Sequence, residues 1–230
     1  MLGFKTIKTT KLLGEYIPPR GDSNPQALLL LVHGRTGNLK LLQWYSKRFN
    51  LPGVGYLALQ APFPDQRADQ KDPGFSWYLE NFQGLDESRE LLKLVIKEIQ
   101  TQGFQKTERI FWFGFSQGGA MGLDLALRSE FPFGGVMCIS GFCIQVEDYP
   151  EAFGPFAKNQ RILATHGTRD RIIPLEQSKP DFDRLRSLGV PLEFQVFDKP
   201  HSFHLKTEVP FLENCLKKWL ALPKEREKEK

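Results

Sequence analysis

The sequence predicts an α/β fold in which a mainly parallel, twisted sheet carries helices on both faces. Short apolar runs alternate along the chain with segments of helical period, as expected for successive strand–helix–strand units. The apolar runs are continuous, which is typical of parallel strands covered on both faces. The 230 residues are 40% hydrophobic and 25% charged, so the composition allows a full-sized core.

Six apolar runs are predicted to be strands, and most of them end at a glycine, a proline or a polar residue. The runs are Ala27–Gly34, "GYLALQAP" (55–62), "RIFWFGF" (109–115), "GGVMCISG" (134–141), "RILATHG" (161–167) and "LEFQVFD" (192–198). Residues 63–85 and 142–160 hold prolines and glycines without periodicity, and we expect irregular loops there.

Five segments with helical periodicity separate these strands. They are 38–49 with Asn38 as the N-cap, 86–103 capped by Asp86, 117–129, a short helix over Asp181–Leu188, and a last helix over 207–220. Because Pro180 cannot lie deep inside a helix, we expect the fourth helix to start near it, with Ser178 as the cap.

Charge and cysteine usage restrict the class of protein. The net charge of +4 comes from interspersed residues of both signs, without the basic stripe of a nucleic-acid binder. Three cysteines without a C-x-x-C pair argue against a disulfide framework and a zinc site. No apolar run approaches the roughly 18 residues that span a bilayer, and we expect no secretory signal because the first residues contain no continuous apolar region. The sequence predicts a cytoplasmic protein, one domain at 1–222 and a frayed, charged tail at 223–230.

Ser116 is the candidate nucleophile. Residues 114–118 fit G-x-S-x-G, and the serine stands where an aromatic strand turns sharply into a helix. Side chains at Gly114 and Gly118 would collide with neighbouring chain in such a turn. The following helix also directs its first N–H groups at any negative charge that develops nearby.

A serine needs a base to take its proton and an acid to orient that base, in the chain order Ser, acid, His for this type of turn. Asp170 follows a predicted strand and is the preferred acid; Asp198 competes but is out of order. His201 follows the last strand and is preferred as the base over His204, which lies nearer the final helix.

Two other histidines and two backbone donors complete the predicted site. His33 and His166 each precede a glycine at a strand end, where we expect them to fix loops through backbone hydrogen bonds. The backbone N–H of Gln117 and that of Arg35 are the expected oxyanion donors, with Thr36 as the alternative to Arg35.

Four motifs, in order, resemble one known family. They are "LVHGRTGN" (31–38), "FGFSQGGAM" (113–121), "THGTRDRIIP" (165–174) and "FDKPHSF" (197–203). Together they resemble the carboxylesterase/phospholipase family of α/β-hydrolases, which includes the acyl-protein thioesterases. The resemblance covers roughly residues 25 to 220.

The resemblance implies an α/β-hydrolase fold with little or no cap domain and the same catalytic assignment, Ser116, Asp170 and His201. The segment "GFSWY" resembles the family's substrate loop, so Trp77 would line the acyl pocket or, as the alternative, anchor a buried loop. Members commonly carry glycine where this chain has Pro200, and an apolar residue where it has Arg35. A guanidinium at the pocket rim would favour negatively charged substrates.

These observations predict a serine hydrolase that cleaves carboxylic esters or thioesters, lipid-like ones included, through an acyl-enzyme. No metal or organic cofactor is implied, and no nucleic-acid or integral membrane partner. The alternatives are lactone or peptide hydrolysis on the same triad, or a catalytically silent binding module. The sequence leaves the oligomeric state open.

Overall fold

The structure is a computed structural model that describes residues 9–20, 24–65, 71–104 and 106–220. The predicted tail at 223–230 lies outside the described residues. The division into one domain at 1–222 and a tail therefore stays a prediction.

Nine strands lie in the described ranges: β1 Gly14–Ile17, β2 Ala27–Val32, β3 Val54–Leu59, β4 Phe63–Pro64, β5 Phe75–Ser76, β6 Ile110–Phe115, β7 Gly135–Ile139, β8 Ile162–Gly167 and β9 Leu192–Phe197. Seven of them form one mainly parallel sheet in the order β1-β3-β2-β6-β7-β8-β9, in which β1 runs antiparallel to its neighbour β3. The two short strands β4 and β5 pair with each other.

Six α-helices are found among the described residues, one of them a single turn. They are α1 Lys40–Arg48, α2 Leu85–Thr101, α3 Gln117–Arg128, α4 Tyr149–Ala152, α5 Leu175–Ser187 and α6 Glu208–Leu220. No helix in these described ranges is both long and apolar enough to cross a bilayer.

Alternate residues of the central strands enter two separate hydrophobic cores, because successive strand side chains point to opposite faces. Leu28 and Leu30 pack with buried residues of α2, α3 and α5, whereas Leu29 and Leu31 pack with those of α1 and α6. The helices therefore cover both faces of the sheet, as predicted. The carboxyl ends of the parallel strands are left together at one edge.

Local signals misplaced two helix starts. The N-cap of α2 is Gly84, with φ 82°, so Asp86 lies in the first turn, where a carboxylate stabilises the helix dipole without capping. Helix α5 begins at Leu175 and contains Pro180, so the predicted start with Ser178 as cap is wrong. Pro180 is exposed, and so is Glu176, the residue whose carbonyl loses its intrahelical donor.

Candidate active site

The turn between β6 and α3 places Ser116 at the carboxyl edge of the sheet. Its backbone has φ 52°, a value that L-residues rarely adopt. A Cβ on Gly114 would lie 2.3 Å from the Gly118 carbonyl oxygen, and one on Gly118 would lie 2.3 Å from that of Val32. The flanking glycines are therefore required by close backbone approach, as the sequence predicted.

The structure brings the three predicted side chains into one hydrogen-bonded chain. His201 Nε2 lies 3.0 Å from Ser116 Oγ, and His201 Nδ1 lies 2.7 Å from Asp170 Oδ2. Ser116 and Asp170 are buried, and the imidazole is partly exposed. The imidazole lies between hydroxyl and carboxylate, as general-base activation of a serine requires.

The Asp170 carboxylate is fixed by its own loop. Its Oδ1 accepts hydrogen bonds from the N–H groups of Ile172 at 3.0 Å and Ile173 at 2.9 Å, which leaves Oδ2 for His201. His166 bonds the Ile173 carbonyl oxygen through Nε2 at 2.8 Å and lies 3.6 Å from Oδ2. Burial lowers the pKa of His166, which favours its neutral form in this role.

The two competing candidates lie elsewhere. His204 Nδ1 accepts a hydrogen bond from the Thr207 hydroxyl at 2.7 Å, in the turn that leads into α6. Asp198 is exposed and pairs with the Arg169 guanidinium at 2.6 Å. Neither side chain is part of the chain of bonds that ends at Ser116.

The predicted oxyanion donors belong to two segments that meet near the elbow. A Cβ on Gly34 would lie 3.1 Å from the Cβ of Ser116, so Arg35 directly follows a residue that lies close to the serine. Gln117 is the first residue of α3, where backbone N–H groups have no intrahelical acceptor. The Thr36 N–H donates to Ser76 Oγ at 3.0 Å, which disfavours it as the alternative donor.

His33 holds the loop that carries Arg35. Its Nδ1 lies 2.7 Å from the Gly34 carbonyl oxygen, and its Nε2 accepts a hydrogen bond from the Ala61 N–H at 3.1 Å. Burial lowers the pKa of His33 to about 4, so the ring is neutral with its proton on Nδ1. This is the loop-fixing role that the sequence predicted.

Trp77 is fully buried and ties its loop to both sides of the elbow. Its N–H donates to Gln117 Oε1, and its indole Nε1–H donates to the His33 carbonyl oxygen, both at 2.8 Å. Gln117 Nε2 in turn donates to the Tyr78 carbonyl oxygen at 2.8 Å. These contacts fit the loop-anchor alternative; a place for Trp77 in the acyl pocket stays a prediction.

The Arg35 side chain is half exposed and compensated by two carboxylates. Its Nε lies 3.0 Å from Asp65 Oδ2, and its terminal nitrogen lies 3.7 Å from Glu80 Oε1. The Asp65 hydrogen bond is the largest cause of a raised pKa for Arg35. These carboxylates compensate the charge through which Arg35 was expected to favour anionic substrates, so the structure argues for a small preference at most.

A cavity of about 400 Å³ opens beside the imidazole. Its lining is cationic and apolar: Arg169, Arg171, Ile172, Pro200 and His201. Within the described ranges no group of three or more His, Cys, Asp and Glu side chains could hold a metal ion.

Sequence reasoning missed two charged residues near the site, Lys199 and Glu208. Both are fully buried, and the Lys199 ammonium lies 2.6 Å from the Glu208 carboxylate. Lys199 lies within the motif "FDKPHSF", but nothing in the sequence marks either residue as buried, because a solvated charge is the usual expectation in a polar segment.

The family can now be assigned. The sequence model of the phospholipase/carboxylesterase family matches residues 19–220. The chain belongs to this family. As a phospholipase/carboxylesterase family member with the α/β-hydrolase fold, it is a hydrolase of the esterase and thioesterase class.

Individual relatives of this family member differ in what their names state. Acyl-protein thioesterase 1 of Mycosarcoma maydis is 27% identical over 215 residues, which cover 84% of this chain and 88% of that protein. A probable inactive carboxylesterase of Oryza sativa subsp. japonica is 33% identical over 90 residues, which cover 39% of this chain and 37% of that protein. The crystal structure of esterase PE8 is 20% identical with a TM-score of 0.78, covers 91% of this chain and 99% of that chain, and shows the fold.

Proposed function

We propose that this family member hydrolyses carboxylic esters or thioesters through an acyl-enzyme on Ser116, with His201 as base and Asp170 as its orienting acid. The observation that carries the proposal is the imidazole bridging the two, 3.0 Å from the hydroxyl and 2.7 Å from the carboxylate. A serine in a strained turn has no evident structural purpose there, whereas a nucleophile needs the sharp turn to present its oxygen to a bound carbonyl.

The first half-reaction forms a bond from Ser116 Oγ to the substrate carbonyl carbon while His201 Nε2 takes the hydroxyl proton. The carbonyl oxygen becomes an oxyanion, and the N–H groups of Arg35 and Gln117 stabilise it. When the tetrahedral intermediate collapses, the bond to the alcohol or thiol breaks. His201 delivers its proton to that leaving group.

The second half-reaction repeats these steps with water. His201 takes a proton from the water, whose oxygen attacks the acyl carbon, and returns it to Ser116 Oγ as the acid product leaves. Asp170 orients the imidazole and stabilises the imidazolium in both halves. Each half therefore requires His201 Nε2 to be free to accept a proton.

The rival readings are lactone or peptide hydrolysis and a silent binding module. A relative named as a probable inactive carboxylesterase makes the binding module a necessary alternative to test. The continuous hydrogen bonding from Asp170 to Ser116 favours catalysis, since a module that only binds has no need of it. We also propose a reducing, cytoplasmic setting, because Cys138, Cys143 and Cys215 are buried and unpaired.

Covalent labelling with a fluorophosphonate tests the proposal directly. Wild type should be labelled and should hydrolyse p-nitrophenyl esters of graded chain length and an acyl thioester, and Ser116→Ala should do neither. Ser202→Ala changes an exposed serine next to His201 and is the matched control that keeps both. A wild-type protein that is neither labelled nor active is a binding module, and turnover only of peptides or lactones selects those chemistries.

A further inference from the structure

A buried polar network lies behind the active-site histidine. Lys199 Nζ lies 2.6 Å from Glu208 Oε1 and donates to Ser140 Oγ at 2.9 Å. Thr165 Oγ1 also donates to Glu208 Oε1, at 2.6 Å. Each of these four side chains belongs to a fully buried residue. Burial lowers the pKa of Lys199, and the Glu208 carboxylate opposes that shift.

The network ties down both ends of the segment that carries His201. Lys199 precedes the histidine by two residues, and its carbonyl oxygen accepts a hydrogen bond from the Arg169 N–H at 3.1 Å. On the other side, Glu208 Oε2 accepts a hydrogen bond from the His204 N–H at 3.0 Å. One carboxylate therefore connects the start of the segment to its end.

The same network connects that segment to the central sheet. Ser140 directly follows β7, with φ 49°, and Thr165 lies within β8, five residues before Asp170. Residues 198–204 contain no helix or strand, so main-chain ladders do not set their position. Side chains do so: the polar network holds the two ends of the segment, and Phe203 packs on Phe113 and Phe115 between them.

We propose that Lys199 and Glu208 are positioning residues that hold His201 within hydrogen-bond reach of Ser116 and Asp170. The inference rests on the proposed function. A buried ion pair is a costly way to stabilise a fold, since apolar residues of similar volume often serve as well. A rigid network is better explained by the need to position the catalytic base, because a displacement of about 1 Å can lower the rate by about 100-fold.

Glu208→Gln and Lys199→Met test this role in the full-length protein. Each should lower kcat by about 10- to 100-fold with KM nearly unchanged, since the substrate contacts remain while the base is displaced. The rate constant for fluorophosphonate labelling of Ser116 should fall by a similar factor. Circular dichroism and thermal unfolding identify the temperature range in which each variant is folded.

Asp124→Asn is the matched control. Asp124 is equally buried and is paired with Arg89 of α2 at 2.8 Å and with Arg128 of α3 at 2.9 Å, and none of the three belongs to the segment that carries His201. It should lower the Tm in the same way as Glu208→Gln while kcat stays within about twofold of wild type. The double variant Lys199→Met/Glu208→Gln removes both buried charges and should regain Tm but not kcat.

A purely structural role gives a different pattern. Three results would each contradict the positioning role. In the first, folded Lys199→Met and Glu208→Gln keep the wild-type kcat. In the others, Asp124→Asn loses as much kcat as they do at equal Tm, or the double variant regains kcat together with Tm. If the charge variants fail to fold, Ser140→Ala and Thr165→Val retain both charges and should still lower kcat; unchanged kcat in both overturns the inference. Failure of the proposed function is separate: the wild type itself would be inactive and unlabelled.

Discussion

Replacement of Asp170 by asparagine is predicted to stop turnover through the tautomer of His201. Oδ1 of Asp170 accepts two backbone N–H bonds, so the amide oxygen of an asparagine must occupy that place. The NH2 group then faces His201 Nδ1 in place of Oδ2, which lies 2.7 Å away. Nδ1 must become an acceptor, the ring proton moves to Nε2, and Nε2 can no longer accept the Ser116 proton.

The expected loss in kcat is about 10⁴-fold, the size of the effect when a triad histidine is held in the wrong tautomer. At about 1.4 kcal/mol per tenfold, this corresponds to about 5 kcal/mol of transition-state stabilisation. The assay is steady-state hydrolysis of a p-nitrophenyl ester, with thermal unfolding to confirm that the nearly isosteric variant is folded. Asp198→Asn, at the exposed competitor, should retain activity within about twofold. Asp170→Asn with more than about a tenth of wild-type activity, or Asp198→Asn as impaired as Asp170→Asn, would refute the reasoning.

Three further results are expected. Gly118→Ala places a Cβ 2.3 to 2.4 Å from two backbone carbonyl oxygens, so ester hydrolysis should fall by about 100-fold or more; near-normal kcat would mean that the turn yields easily. Burial lowers the pKa of His33 in the folded state to about 4, against 6.5 in the unfolded chain. As the pH falls from 6.5 to about 4, the unfolded chain therefore binds the proton first, and urea titrations should show the unfolding free energy fall by roughly 3 kcal/mol. The same titrations on His33→Gln should lack this component, and an identical pH slope would contradict it. Because carboxylates already pair with Arg35, Arg35→Ala should change the ratio of kcat/KM for anionic and neutral esters by no more than about threefold; a larger drop in the ratio would establish direct recognition of the anion.

The predictable part of this molecule follows from local rules with few exceptions. The continuous apolar runs correctly predicted the parallel strands, because strands covered on both faces need apolar residues throughout. The glycines beside Ser116 correctly predicted a close approach of neighbouring backbone. Chain order then placed Asp170 and His201 at the same edge as the serine. Their catalytic roles stay predictions until the variants are measured.

The unpredicted part depends on contacts distant in sequence. Strand β1 is only four residues long and is fixed by antiparallel pairing with β3, which its own composition does not indicate. From the sequence, Lys199 and Glu208 would be expected to lie on the surface as ordinary charged residues, whereas the fold buries them as a pair. The role of Trp77 could not be predicted for the same reason, because a buried loop anchor and a pocket wall differ only in the empty space that distant residues leave beside the ring.

At Ser116 the backbone conformation lowers the stability of the fold, whereas the side chain at the same position is proposed to be needed for turnover. A φ of 52° with ψ −121° costs an L-residue on the order of 1–3 kcal/mol, a cost that glycine largely avoids. A Ser116→Gly protein should therefore melt at a higher temperature than the wild type while being inert. Selection for heat resistance alone would favour such a substitution, so laboratory evolution of this enzyme must screen for product formation in every round.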